Sequence, residues 1–480
     1  MNTKMIRYIL CRMLGVESVL LMIPVIVAAL YQEMSGIAFL IPAGILLLLF
    51  FLAGVKKPEQ SHIYGKEGMV IVALAWILWS LFGAMPFTIS GFIPNYMDAF
   101  FETVSGFTTT GSSILRDVEA LPQCLLFWRS LTHWIGGMGV LVFVLVLTSL
   151  DKKNSMYLMR AEVPGPEKDK LVPKAMSTAR ILYGMYLIMT VVEIIFLMLG
   201  GVNLFDSMIF SFGSAGTGGF SNYADSVAHF HSAYIDGVIT TFCALFGVNF
   251  SLFYFMLLGD FKSVRKNEEL RTYIMLIVGA TALITLNIHS MFPSMIKAFR
   301  YAIFQVVTVI TTTGYATTDF NTWPEISRTI LVLLMFIGAC AGSTGGGIKV
   351  SRILILCKTV RKELHIFLHP NAVKKIKMDG KAIPHEVVRS TNIFFIVYML
   401  IFSSSIFLIA FDDFNLITNF TAVAATFNNI GPGLELVGPT GNFGMFSWFS
   451  KLILTFDMLA GRLEIFPLLI LFVRDTWKKF

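Results

Sequence analysis

Four short strings in this sequence repeat one phrase: FETVSGFTTTGSS (101–113), MIFSFGSAGTGGF (208–220), FQVVTVITTTGYA (304–316) and TAVAATFNNIGPG (421–433). Each is an apolar run that closes on small residues and a glycine. Taking Gly111, Gly218, Gly314 and Gly431 as the matching positions spaces them by 107, 96 and 117 residues. Chemistry that needs such a pattern is the stripping of water from a monovalent cation, because backbone carbonyls aimed at one axis replace hydration oxygens without a fixed charge. Pointing successive carbonyls the same way drives a residue to positive φ, which glycine adopts at no steric cost. A helix ending just before each glycine also turns its negative dipole end toward the ion. TTTGYA is close to the TVGYG type of K⁺ filter, and the other three are looser versions. The expected filter is therefore Thr109, Thr110 and Gly111, then Gly216, Thr217 and Gly218, then Thr312, Thr313 and Gly314, then Asn429, Ile430 and Gly431. The fourth string also reads as an ordinary turn, since Asn, Gly and Pro are turn residues.

A second feature is GACAGSTGGGIK (338–349), with glycines at 338, 342, 345, 346 and 347. No helix continues through it. Close helix packing through small residues is one account of it. A phosphate loop is not, because Ile348 separates the last glycine from Lys349. Arg462 lies mid-way along the apolar stretch 446–473, where a charge faces a cavity or a partner; Asp457 and Glu464 are near enough in sequence to be that partner. Glu193, Glu17 and Arg12 also fall within apolar stretches and read as packed pairs or helix-end snorkellers.

Catalytic constellations are missing from the sequence. The eight histidines show no HExxH spacing, and no GxSxG or acidic metal cluster occurs. His365, His369 and His385 read as solvated surface. The five cysteines are odd in number and lack CxxC spacing, which argues against disulfides and zinc. A net charge of +7 raises nucleic acid as a partner, but the cations are segregated by loop, so nucleic acid is not expected.

The elements that position the repeated strings are set by hydropathy. With 56% hydrophobic and 14% charged residues, the chain needs lipid as a solvent. Ten segments are long enough to cross about 30 Å of hydrocarbon: 8–31, 36–54, 68–90, 124–150, 180–200, 234–258, 272–291, 328–357, 390–411 and 446–473. Lys and Arg crowd the alternate connections 56–66, 152–180, 262–271 and 349–389, whereas 91–122, 201–232, 291–327 and 411–446 hold only Arg116, Lys297 and Arg300. By the positive-inside rule the second set faces outside and both termini are cytoplasmic. Each outside connection holds one repeated string, too short to span and suited to a re-entrant helix. The expected fold class is thus an all-α membrane protein with ten transmembrane helices. Four pseudo-symmetric helix–pore-loop–helix repeats (66–151, 175–262, 268–365 and 385–480) surround one central pore, beside an N-terminal two-helix hairpin (1–55).

On the four strings, their register and the two extra N-terminal spans, the chain resembles the Trk/Ktr/HKT superfamily of cation transporters, and its TrkH-type membrane subunit in particular. The resemblance covers nearly the whole chain. It implies K⁺ as the transported ion held at the filter residues, with no organic cofactor. It implies a gate formed by Gly342, Ser343, Thr344, Gly345, Gly346, Gly347 and Lys349, with Arg462 facing the pore. It further implies a homodimer with one pore per chain, set among the lipids of the bacterial cytoplasmic membrane. A soluble, nucleotide-binding TrkA-like regulatory ring is expected on the basic cytoplasmic face. Entry would be driven by the inside-negative potential, about 2.3 kcal/mol per charge per 100 mV. A rival reading is a secondary transporter of a small solute coupled to Na⁺ or H⁺, with glycine-broken helices at mid-membrane. A membrane enzyme is a third, weakened by the missing catalytic cluster.

Overall fold

The computed structural model of the chain describes residues 1–59, 63–139, 175–372 and 374–478. The expected end of the first repeat after residue 139, and the basic connection up to residue 174, lie outside the described residues. The chain opens with α1 (Thr3–Leu20), α2 (Met22–Tyr31) and α3 (Ile37–Leu49), which pack on one another and lean on α4 (Gly65–Ile89). Next come α5 (Tyr96–Phe107), α6 (Gln123–Gly137), α7 (Ala175–Leu199), α8 (Leu204–Gly216), α9 (Ala233–Phe246) and α10 (Phe250–Leu257). After them follow α11 (Glu268–Ile288), α12 (Met295–Ile310), α13 (Glu325–Ile337) and α14 (Val350–Leu368). A small antiparallel ribbon, β1 (Lys377–Met378) with β2 (Lys381–Ala382), leads into α15 (His385–Ile409), α16 (Leu416–Phe427), α17 (Trp448–Arg462) and α18 (Phe466–Leu469).

Among the described residues, six helices are long and apolar enough to cross a membrane, and a seventh if α9 and α10 count as one span bent by 91°. The shortfall from ten has a physical cause. The stretch 124–150 leaves the described residues at 140, 446–473 is interrupted after Arg462, and 328–357 is interrupted after Ile337, its second half continuing into α14, which is long enough to span but carries Arg352, Lys358, Arg361, Lys362 and Glu363. Outward surfaces are apolar: Leu30, Leu199, Phe407 and Leu400 are among many large hydrophobic side chains left exposed. Surface of that kind is at ease in lipid and would be an aggregation liability in water.

The short helices α5, α8, α12 and α16 sit inside this shell. Each starts at a residue whose side chain accepts a first-turn N–H: Asn95 from Met97 at 2.9 Å, Asn203 from Asp206 at 2.8 Å, Ser294 from Lys297 at 3.3 Å and Asn415 from Thr418 at 2.7 Å. Their packing is cyclic. α6 lies on α8, α9 on α12, α13 on α16, and α17 returns to α5, so each of these helices braces the next short helix round. A residue with a side chain where α6 meets α5 would not fit, because a Cβ on Gly136 would stand 1.8 Å from the Phe107 carbonyl oxygen.

Breaks recur at one place in this cycle. The helix after each short helix stops after 13–15 residues, at Gly137, Phe246, Ile337 and Arg462. Sequence reading anticipated only the third. The others are marked by positive φ at Gly139 and at Glu464 and Ile465, and by the bend at residues 247–249.

Candidate functional site

Each short helix ends in a strip with one geometry. Thr109, Thr217, Thr312 and Asn429 all lie in the left-handed region, at φ between 54° and 60°. The following residue donates its N–H back five positions, at 2.8 Å in every case: Thr110 to Ser105, Gly218 to Gly213, Thr313 to Thr308 and Ile430 to Ala425. One residue further on stand Gly111, Gly219, Gly314 and Gly431, at φ of 82°, 76°, 79° and 100°.

This geometry corrects the sequence alignment by one residue in the second strip. Gly219, not Gly218, matches Gly111, Gly314 and Gly431, and the strip is Thr217–Gly218–Gly219, with Gly216 the last residue of α8. GTGGF offers three glycines, and pattern alone does not choose among them; the left-handed Thr217 does.

The four strips close on one another. A Cβ at Gly111 would lie 2.0 Å from the Gly218 carbonyl oxygen, one at Gly219 2.0 Å from that of Thr313, and one at Gly314 1.9 Å from that of Ile430. The circuit ends with Gly431, whose Cβ would lie 3.0 Å from the Thr110 carbonyl oxygen. Glycine is therefore required twice over, by backbone conformation and by the neighbour's carbonyl. Polar contacts tie the strips further. Ser112 donates to the Gly431 carbonyl at 3.0 Å, and Asn429 donates to Thr110 Oγ1 at 2.9 Å and to the Met458 carbonyl at 3.0 Å. Tyr315, buried, donates to the Phe210 carbonyl at 3.0 Å, which locks the third strip against α8.

A charged brace behind the first strip escaped sequence reading. Glu102 and Arg129 form a buried pair at 2.7 Å, and Glu102 also accepts from Ser113 Oγ and the Ile114 N–H, each at 3.0 Å. Arg129 reaches the Ser221 carbonyl at 3.2 Å and lies over the Phe220 ring at 4.0 Å. His133 bridges the same two strips, with Nδ1 2.7 Å from the Gly106 carbonyl and its ring against Phe220. The available signal was one acid and one base, each the lone charge of its apolar stretch, Glu102 in 101–113 and Arg129 in 124–150, and it is faint because nothing in the sequence pairs two charges 27 residues apart.

The interrupting segment 338–349 lies directly on the strips instead of standing apart from them. Gly346 donates to Thr312 Oγ1 at 2.6 Å and Gly347 to the Asn428 carbonyl at 3.1 Å. Thr344 donates through Oγ1 to the Phe246 carbonyl at 3.2 Å, and Gly342 accepts from the Phe250 N–H at 3.0 Å. Glu269 anchors both ends of the segment, accepting from Ala341 at 2.7 Å and Ser351 at 3.0 Å. Lys349, buried at φ 84°, donates from Nζ to the Gly345 carbonyl. Ser343 folds back on the Cys340 carbonyl at 2.7 Å.

Arg462 ends α17 and donates to three carbonyls: Thr344 at 2.8 Å, Gly137 at 2.8 Å and Gly136. It therefore joins the interrupting segment to the broken end of α6. The neighbouring acids are spoken for elsewhere, as Glu464 pairs with Arg352 and Asp457 accepts from Ser405 at 2.7 Å. Arg12 donates to Tyr8 at 2.9 Å. Glu17 and Glu193 are fully buried, and no hydrogen-bond donor reaches their carboxylate oxygens among the described residues. The cysteines are free thiols, and among the described residues no group of three or more His, Cys, Asp or Glu side chains converges as a metal cluster.

An apolar helical body that brings four short helices to a closed circuit of glycines and carbonyls is that of a multi-pass membrane transport protein. A family profile described as "TrkH: Cation transport protein" matches residues 38–479. The chain belongs to the TrkH family, within the Trk/Ktr/HKT superfamily. It is 37% identical over 469 residues to the Trk system potassium uptake protein TrkH of Escherichia coli K12, covering 96% of each chain. It is 32% identical to TrkG of the same organism, covering 100% of each. The crystal structure of the potassium transporter TrkH from Vibrio parahaemolyticus superimposes with a TM-score of 0.89 at 33% identity, covering 100% of both chains.

Proposed function

We propose that this chain takes up K⁺ across the bacterial cytoplasmic membrane through a single pore lined by the four glycine strips. The observation that carries the reading is the closed circuit in which each glycine abuts the carbonyl of the next strip. A closed circuit of backbone carbonyls is what a dehydrated monovalent cation requires, and it provides no chemistry for a covalent reaction. The filter in this reading comprises Thr109–Gly111, Thr217–Gly219, Thr312–Gly314 and Asn429–Gly431. Ten spans arranged as four helix–pore-loop–helix units and an N-terminal hairpin, with both termini cytoplasmic, complete the reading, and charge segregation and the cyclic packing of α5, α8, α12 and α16 support it. Relatives named as Trk potassium uptake proteins support K⁺ as the ion.

In this reading residues 342–347 close the pathway beneath the ring. Lys349 and Arg462 hold them there, each by donating to a carbonyl of that segment. A cytosolic nucleotide-binding ring, docked on the basic face of a homodimer, opens the gate by drawing on α14. The decisive experiment is ⁸⁶Rb⁺ flux into liposomes containing the purified chain, under an imposed inside-negative potential and with no other solute gradient. Uptake that follows the potential supports the pore; uptake that appears only with a Na⁺ or H⁺ gradient moves the chain to the secondary-transporter class. Co-purification from the native host in mild detergent tests the ring, and full regulation by the chain alone would remove it.

A further inference from the structure

We propose that the cleft between α14 and α15, at the end remote from the glycine ring, binds the headgroup of an anionic phospholipid. Its α14 lining residues, Thr359, Lys362 and Glu363, lie roughly 15–21 Å along the helix from Lys349, at about 1.5 Å per residue, which puts the cleft about half a membrane or more from that end of the interrupting segment. The cleft encloses about 720 Å³ and is lined by Lys362, Lys374, Lys375, His385 and Arg389. One carboxylate, Glu363, shares the lining, and it stands 3.5 Å from Lys362. Lys374, Lys375 and Arg389 are exposed to the cleft side of the surface with no salt bridge of their own among the described residues.

Two independent features point to phosphate. The cation cluster is one. The other is the start of α15, a 25-residue helix capped by Pro384, which has no side-chain oxygen to offer the first-turn N–H groups. His385 and Val388 of that first turn, with Arg389 just after it, line the cleft, while the turn's one acid, Glu386, stands outside the lining, so the helix N-terminus adds to the cations there.

What selects a lipid over a free phosphate is the surface around the cleft. Val360, Leu364, Phe367 and Leu368 on α14, and Ile396, Met399 and Leu400 on α15, are exposed apolar side chains. Ile376, Ile383 and Ile393 carry that apolar surface into the lining itself. Acyl chains can lie along it while the phosphate occupies the cleft; a soluble phosphate would use only the cations. Basic pockets between spans at a membrane interface are where such headgroups bind.

The test uses the full chain in mild detergent, with native mass spectrometry reading retained lipid. Phosphatidylglycerol and phosphatidylcholine of the same acyl chains are offered, and glycerol 3-phosphate is offered separately. Phosphatidylglycerol should be held at least about tenfold more tightly than phosphatidylcholine, and glycerol 3-phosphate should fail to displace it at millimolar concentration. Lys374→Gln/Lys375→Gln/Arg389→Gln should lose affinity by on the order of 100-fold, about fivefold per cation removed. Lys381→Gln, an exposed lysine on β2 outside the lining, should bind as the parent does. Equal retention of the two lipids overturns the proposal, as does an equal loss in Lys381→Gln. Efficient displacement by glycerol 3-phosphate makes the cleft a soluble-phosphate site and also overturns it. Should the triple variant fail to fold, the lipid comparison on the parent chain decides alone. Lipid retention is read without flux, so a chain that fails to conduct leaves this result untouched.

Discussion

Gly218 and Gly219 differ in what a methyl group would do, and the difference tests the ring directly. At Gly219 an added Cβ meets backbone: it would stand 2.0 Å from the Thr313 carbonyl oxygen, with φ at 76°. Real Cβ contacts do not fall below 3.0 Å, so that carbonyl must retreat by about 1 Å or Gly219 must leave the left-handed region. Holding a non-glycine residue in such a conformation costs about 1–3 kcal/mol, which lowers the conducting population by roughly 5- to 150-fold. At Gly218 the added Cβ meets a side chain instead, the His133 ring at 2.4 Å, and φ is not positive. Removing that ring makes room. In ⁸⁶Rb⁺ uptake by proteoliposomes, Gly219→Ala should therefore lose flux and K⁺ preference whether or not His133 is present. Gly218→Ala should lose flux, and Gly218→Ala/His133→Ala should recover much of it relative to His133→Ala alone. A double-mutant cycle isolates that coupling from the separate cost of losing the His133 contact to Gly106. Wild-type flux in Gly219→Ala, or recovery of Gly219→Ala by His133→Ala, would refute the register derived from Thr217.

Thr312→Val removes the oxygen that accepts from Gly346 at 2.6 Å while leaving the carbonyl strip in place, so basal Rb⁺ flux should rise with the K⁺ to Na⁺ ratio nearly unchanged; a ratio that collapses would make the hydroxyl part of the filter. Arg462→Ala frees the Thr344, Gly136 and Gly137 carbonyls and should raise single-channel current several-fold; normal current with a lowered unfolding temperature would make Arg462 a structural clamp. Shortening 342–347 should likewise raise basal flux, and flux unchanged with selectivity lost would show that the segment supports the strips without closing them. Glu102→Gln leaves Arg129 buried without its charge partner and should destabilise the fold by about 3–5 kcal/mol in thermal unfolding, since one member of a buried pair is lost.

How far these features were legible in the sequence follows from the range of the interactions that create them. Caps and spans are local. Asn95, Asn203, Ser294 and Asn415 each begin an apolar run and each accept from a residue two or three positions on, so the short helices could be read from spacing alone. The ring is not local. Which glycine of Gly216, Gly218 and Gly219 faces a neighbour's carbonyl depends on the third strip, near Thr313, about a hundred residues away in sequence. A string with three glycines carries no penalty that would rank them, whereas TTTG in the first and third strips has only one candidate. Breaks in the helices after α5, α8 and α16 were equally hidden. Only 338–349 has enough glycine to forbid a helix by propensity; at Glu464 and Ile465 ordinary residues take positive φ, held by bonds such as Ile465 N–H to the Ala460 carbonyl at 2.8 Å. Arg462 shows the same limit at the level of a single side chain. Its position predicted a cavity or an acid, and Asp457 and Glu464 stood ready in the sequence, yet its guanidinium donates to carbonyls freed where the interrupting segment and α6 stop being helical. Backbone acceptors released by a helix break have no sequence signature, yet three of them satisfy this guanidinium. Arg462 is thus a bond between two broken segments. Moving either segment away from the other must therefore break those bonds first.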